Sequence, residues 1–124
     1  MAQHNNLGRQ GETLAAQYLV DHGYSILDTN YRYGKLEVDI IAYGETDIVF
    51  VEVKTRSTDT FGEPETFVDK KKQRAYVKAA NHYILTKQRR ESVRFDIIGI
   101  VTTADGTQIN HIKNAFNVIE ALSK

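Results

Sequence analysis

The stretch that decides the fold is Leu36–Lys54, LEVDIIAYGETDIVFVEVK. Leu36 to Tyr43 and Asp47 to Lys54 are rich in β-branched and aromatic residues, with Gly44, Glu45 and Thr46 between them. Each run reads as a strand. The gap is too short for a crossover, so the two form an antiparallel hairpin. Side chains alternate between faces along a strand, so Glu52 and Lys54 leave one face together, as do Glu37 and Asp39. With the turn at Gly44 to Thr46, Asp39 falls opposite Glu52, and Glu37 opposite Lys54. Opposed side chains lie about 4.5–5.5 Å apart at Cβ. Two carboxylates and an ammonium are thus expected on one small patch.

The neighbours of that patch are apolar. Val38, Ile40, Val49, Val51 and Val53 fill the alternate positions, and Ile41 and Phe50 continue the charged face in apolar form. Paired carboxylates there repel and lose solvent unless a cation joins them. Lys54 can neutralise one. A divalent cation can take both, since Mg²⁺ commonly uses one or two carboxylates plus waters. The plain alternative is a cross-strand salt-bridge cluster on a solvated sheet face. Three features favour a site: the acids are doubled across the hairpin, both strands read as central, and a polar loop from Thr55 to Thr66 follows directly. Loops of that length inside a compact domain often carry function.

Outward from the hairpin, Leu7 to His22 reads as a helix capped by Asn5 or Asn6 and ended by Gly23. Leu7, Gly11, Leu14, Ala15 and Tyr18 form its expected buried stripe. Tyr24 to Leu27 reads as a short strand and Thr29 to Lys35 as a connection. Val68 to about Lys87 is a second expected helix, with Tyr76, Ala80, Tyr83 and Ile84 on one face. Val93 to Val101 is a buried strand, given the run FDIIGIV. Asp105-Gly106 turns into a short strand at Gln108 to Ile112, and Asn114 is positioned to cap a last helix reaching Leu122. The order is αβββαβ, then βα: an α/β domain with a mixed β-sheet flanked by helices.

The 124 residues suit one domain, 1–124, and 41% apolar composition with seven Tyr and five Phe provides a core. The absence of cysteine excludes disulfides, a thiol nucleophile and a Cys-based zinc site. No signal-like or membrane-spanning segment is legible, so the expectation is a cytoplasmic protein with no membrane partner. Sixteen basic residues balance sixteen acidic ones. Their distribution is uneven: Lys70 to Arg90 holds eight Lys or Arg and no Asp or Glu. A Lys-rich surface helix explains this plainly, and a surface that tracks a phosphate backbone explains it as well. Arg94 and Asp96 share a strand face and read as a structural pair. The four histidines show no ligand spacing. Tyr31, Tyr33 and Phe61 have rings able to stack on bases, but core packing is the simpler reading.

The fragments GRQGETLAAQYLVDHGYSIL, NYR, EVDIIA, VFVEVKTR, KQR and RFDII occur in order between Gly8 and Ile100, with FG-x-P at Phe61 to Pro64. Together they resemble the YraN-like family, UPF0102, which is placed in the restriction-endonuclease-like, PD-(D/E)-x-K group. Archaeal Holliday-junction resolvases and tRNA-endonuclease-like folds are its neighbours there. The resemblance implies a restriction-endonuclease-like αβββαβ core and a metal-dependent endonuclease acting on nucleic acid, DNA before RNA, with branched or structured DNA among the candidate substrates. It implies Asp39, Glu52 and Lys54 as catalytic, with Glu12 of the first helix near them. Asp39, Glu52 and the Val53 carbonyl would hold Mg²⁺ or Mn²⁺, and Lys54 would orient water or stabilise phosphoryl charge. Gln73 matches a substrate-side glutamine, and Lys70, Lys72, Arg74 and Arg56 are the expected backbone contacts. One departure stands at Leu36, where the family pattern has Gly before Glu-x-Asp. A non-catalytic nucleic-acid-binding protein on the same fold is the alternative, and a small scaffold protein a third. Resolving a junction requires two sites, hence a homodimer, for which the sequence shows no clear surface.

Overall fold

The computed structural model describes residues 2–56 and 68–123. Its elements are α1 (Ala2–Asp21), β1 (Ser25–Tyr33), β2 (Leu36–Gly44), β3 (Asp47–Arg56), α2 (Lys70–Lys87), β4 (Ser92–Thr103), β5 (Gly106–Phe116) and α3 (Val118–Leu122). This is the expected order. The five strands form one sheet in the order β1-β2-β3-β4-β5. β3 and β4 are parallel, and the other neighbours are antiparallel. The parallel pair needs a crossover, which α2 supplies. β2 and β3 are interior strands, as their composition implies.

α1 covers one face of the sheet. Ala15 and Leu19 are fully buried against Ile40, Ala42, Val49, Val51, Ile98 and Ile100. α2 covers the other, with Tyr76, Ala79, Ala80 and Tyr83 packed on Ile41, Ile48, Phe50, Phe95 and Ile97. Gly11 sets how closely α1 approaches. A Cβ there would lie 2.0 Å from the Thr55 Cγ2 of β3. α1 ends in a Schellman cap: Tyr24 N–H reaches the Leu19 carbonyl, Gly23 N–H reaches that of Val20, and Gly23 takes φ +92°. Among the described residues no helix is long and apolar enough to cross a membrane.

Several boundaries differ from the sequence reading. α1 starts at Ala2, so neither Asn5 nor Asn6 is its cap. The Leu7 side chain, most of the polar loop, Phe61 and Pro64 lie outside the described residues. Leu14 is 39% exposed, and the buried stripe runs through Gly11, Ala15 and Leu19 instead. β1 continues through the expected connection to Tyr33, because it pairs with β2 up to Tyr33↔Leu36. Its Asp28 and Asn30 resemble turn formers in sequence, and Asn30 does take φ +53° within the strand. β5 likewise extends to Phe116, paired with Phe95. The α3 cap is therefore Asn117, not Asn114. Its side chain accepts the Glu120 amide while the Glu120 carboxylate accepts that of Asn117.

A polar knot closes the sheet at its turn end. Arg94 Nε and Nη2 each donate to Asp96 at 2.9 Å, and Nη2 also donates to the Tyr24 hydroxyl. His111 Nε2 and the Asn114 amide complete the Asp96 carboxylate. Glu45 and Asp47 of the hairpin turn pair with Arg94 from outside. Burial alone would raise the Asp96 pKa, but His111, Arg94 and the Asn114 amide outweigh it and hold the carboxyl below its ordinary value. The expected Arg94–Asp96 pair is thus structural.

Replacing Asp96 with Asn leaves a buried guanidinium short of its counter-charge. A loss of about 3–5 kcal/mol is expected in urea unfolding at pH 7. A depressed carboxyl contributes stability above the unfolded pKa of about 3.9 and loses it as pH falls through the lower folded value. The gap between wild type and Asp96→Asn should therefore narrow below about pH 4. An equal gap at pH 3 and pH 7 would contradict the assigned ionisation.

Candidate active site

The hairpin ladder runs from Gly44↔Asp47 to Ile40↔Val51, in the register read from the sequence. One residue further along β2, strand no longer pairs with strand. The Asp39 Oδ2 accepts the Val53 amide at 2.8 Å instead. Alternation along β2 shifts at the same point. Ile40 faces α1, whereas Ile41 and Val38, three apart, both join the α2 side of the core. Asp39 stands between the two faces.

That position brings three acids together. Burial raises the Asp39 carboxyl most, the Val53 amide opposes this, and the neighbouring Glu52 and Glu12 carboxylates raise it further, to about 7. Glu12 follows Gly11 on α1, so the close approach of that helix delivers it. Asn30 Nδ2 donates to Glu12 Oε1 at 3.0 Å. Glu52, only 7% exposed, faces α2. Lys72 Nζ lies 2.7 Å from its Oε2, and the Tyr76 hydroxyl donates to its Oε1. Burial and the Glu52 charge push the Tyr76 phenol far above its ordinary range. Lys54 is two residues beyond Glu52 on β3 and half-buried. Among the described residues it makes no ion pair.

The geometry revises the expected patch. The cation on Glu52 is Lys72 of α2, not Lys54, and Glu37 does not join: it faces Arg32 across β1–β2 at 3.7 Å. The β2–β3 ladder stops short of a Glu37–Lys54 pair. Gln73 is buried, its Nε2 donating to the Val68 carbonyl, and its Oε1 has no partner among the described residues. Lys70 Nζ donates to Ser123 Oγ at 3.0 Å and to the Glu120 carbonyl, and Arg74 Nη1 reaches the Ala121 carbonyl at 3.4 Å. Both therefore secure the end of α3, where cations suit the helix dipole. Arg56 closes β3, half-buried.

Two residues of this cluster carry no site signal in the sequence. Tyr76 fits the apolar stripe of α2, yet a tyrosine buried in a helix face must find a partner for its hydroxyl. Asn30 is a turn-former by residue type, inside the NYR fragment. Among the described residues no group of three or more His, Asp or Glu forms a ready cation cage. The donors themselves are oxygens, which suit a hard cation. Crowding of two further carboxylates, Glu12 and Glu52, on a partly buried Asp39 is the situation such a cation relieves.

A mixed sheet built in αβββαβ order, with helices on both faces, defines a restriction-endonuclease-like α/β core. Residues 11–100 match the family described as "Uncharacterised protein family UPF0102". A UPF0102 protein of Christiangramia forsetii is 51% identical over 116 residues, covering 94% of this chain and 98% of that protein. One from Bacteroides thetaiotaomicron is 47% identical over 94% of this chain and 96% of its own. One from Porphyromonas gingivalis is 41% identical over 96% of this chain and 90% of its own. The chain belongs to the UPF0102 family.

The raised Asp39 carboxyl has a measurable consequence. The folded pKa of about 7 lies above the unfolded value, so its contribution is full at acid pH and lost as pH rises through 7. Asn at this position cannot titrate. Urea unfolding in EDTA should show Asp39→Asn gaining on wild type between pH 4.5 and pH 8, by more than ~1 kcal/mol. A difference independent of pH would mean that Asp39 is ionised like a surface aspartate.

Proposed function

We propose that the protein is a metal-dependent endonuclease that hydrolyses phosphodiester bonds in DNA. The observation that carries this reading is the gathering of Asp39, Glu12 and Glu52 where the hairpin strands part, with Lys54 on the same strand as Glu52. A purely structural salt-bridge cluster would pair each acid with a cation. Here Asp39 has acids for neighbours and its carboxyl is raised to about 7. That arrangement costs free energy in the free protein, and such costs concentrate at functional sites.

Asp39, Glu52 and the main-chain carbonyl of Val53 are the proposed ligands for Mg²⁺ or Mn²⁺, with Glu12 beside them. A cation of this kind supplies Lewis-acid polarisation of a phosphoryl oxygen and activation of water. The chain's own residues do the rest. Asn30 orients Glu12. Tyr76 fixes the rotamer of Glu52. Lys54 donates to the phosphate oxygens as negative charge grows on them, at a half-buried position where that charge is poorly screened.

One observation favours the second reading, a nucleic-acid-binding protein without cleavage. Both Glu52 oxygens are engaged, by Lys72 and by Tyr76, and this acid becomes a ligand only if Lys72 turns away. Lys72 is 42% exposed in its side chain, so that rotation meets little obstruction.

A panel of linear, nicked, flapped and four-way DNA with Mg²⁺ or Mn²⁺ tests the proposal. Wild type should cleave at least one substrate, and Asp39→Ala and Lys54→Ala should each lose about 100-fold or more in rate. Lys72→Ala should keep cleavage, since it frees Glu52. Variants at Asp39 and Lys54 that cut as well as wild type would end the assignment. No cutting by wild type on any substrate would favour the binding reading.

A further inference from the structure

The basic residues expected to meet nucleic acid divide into two sets. Lys70 and Lys72 are turned inward, one onto α3 and one onto Glu52. Lys71 and Lys78 are exposed and point elsewhere. With Arg74 they lie three and four residues apart in sequence, on one face of α2. That face meets the tip of the β1–β2 hairpin. Between the two is a groove of about 340 Å³, lined by Lys35, Lys71, Arg74 and Lys78 together with Tyr33 and Leu36. No acid lines it. Among the described residues none of these four cations makes an ion pair. Arg74 touches only the Ala121 carbonyl, at 3.4 Å.

Four unpaired cations around one groove attract a polyanion. The walls narrow the choice. Tyr33 rests on the His82 ring at 4.9 Å between centroids, which fixes the tyrosine ring at the groove wall. Leu36 lies beside it, half-buried. A duplex shows such a surface phosphates and base edges but no base faces, which are stacked inside. A single strand shows both phosphates and bare bases, and positive grooves with an aromatic wall are how proteins hold it. From Lys71 to Lys78 the helix rises about 10 Å, enough to meet about two consecutive phosphates of an extended strand. From Leu36 to Asp39 the strand rises about 10 Å, so a strand held here passes close to the candidate active site.

We infer that the groove between the β1–β2 turn and α2 holds a single-stranded segment of nucleic acid. Its phosphates meet Lys35, Lys71, Arg74 and Lys78, and a base packs on Tyr33 and Leu36. The inference rests on the reading of the hairpin as a phosphodiester-cleaving site and assigns it a substrate class, DNA with an unpaired strand. Leu36 supplies the apolar floor of the groove.

Fluorescence anisotropy in EDTA tests the groove apart from any cleavage. The probes are an oligothymidylate of about twenty nucleotides and a duplex of equal length. Wild type should bind the single strand at least ~5-fold more tightly than the duplex. The triple variant Lys35→Ala/Lys71→Ala/Lys78→Ala should bind it at least ~10-fold more weakly, with a salt slope shallower by about 2. Tyr33→Leu should keep the salt slope and lose the preference for single strands. Lys87→Ala/Arg90→Ala, basic but outside the groove, should bind like wild type. Equal binding of strand and duplex, an unaffected triple variant, or an equal loss in the outside pair would each overturn the inference. Cleavage without single-strand preference would sink the groove and spare the hairpin. Single-strand binding by a protein that cuts nothing would do the reverse.

Discussion

Everything at the candidate site depends on one hydrogen bond, from the Val53 amide to the Asp39 carboxylate. It stands where the next rung of the β2–β3 ladder would be. A carboxylate accepting a main-chain amide satisfies β3 without requiring β2 to stay alongside it. The two strands can then separate while every backbone donor at the junction keeps a partner. Separation opens the sheet just enough for Glu12 to arrive from one face and Glu52 to remain on the other. Remove the side-chain acceptor and an interior strand has an amide to satisfy in some other way. The chemistry of the site and the architecture of the sheet therefore share a residue.

The hairpin was legible because it rests on the most local rules available: alternation, turn composition and a short gap. These placed the strands and their register, and both stand in the structure. The same rules led to one error at the site. Strict alternation puts Asp39 wholly on the face of Glu52, but alternation fails at Val38, where β2 twists away. Local pattern cannot register a break that only tertiary packing enforces. Lys72 was hidden for a similar reason. It lies 20 residues from Glu52 in sequence, and nothing in a run of lysines says which one turns inward. In β1 the difference runs the other way: Thr29 to Lys35 reads as a connection, yet the strand continues to Tyr33 because β2 pairs with it. Tyr76 looked apolar because a stripe pattern scores the ring and ignores the hydroxyl.

Two aspartates nearly level in the sheet, two strands apart, are treated differently. On β4, Asp96 is surrounded by donors that hold its carboxyl below the ordinary value. On β2, Asp39 has acids for neighbours and its carboxyl is raised to about 7. Composition alone does not separate these cases, for both are aspartates on interior strands flanked by apolar residues. Arg94, Tyr24 and His111 make the difference for Asp96, and Asp39 has no such set of donors among the described residues. A fold that can satisfy one buried aspartate so completely has the means to satisfy both, so the unrelieved state of Asp39 is where a functional demand on the sequence shows most clearly.

The parallel pairing of β3 with β4 has a consequence for how the chain matures. Glu52 sits in register with Ile97, 45 residues later. β1, β2 and β3 can form a meander early, from contacts between sequence neighbours. α2 must then cross over before β4 can dock, and such long-range parallel pairing is slow to form. Glu52 meets Lys72 and Tyr76, 20 and 24 residues later, only once α2 has folded onto the sheet. A growing polypeptide thus carries its buried acid well before it carries the groups that partner it.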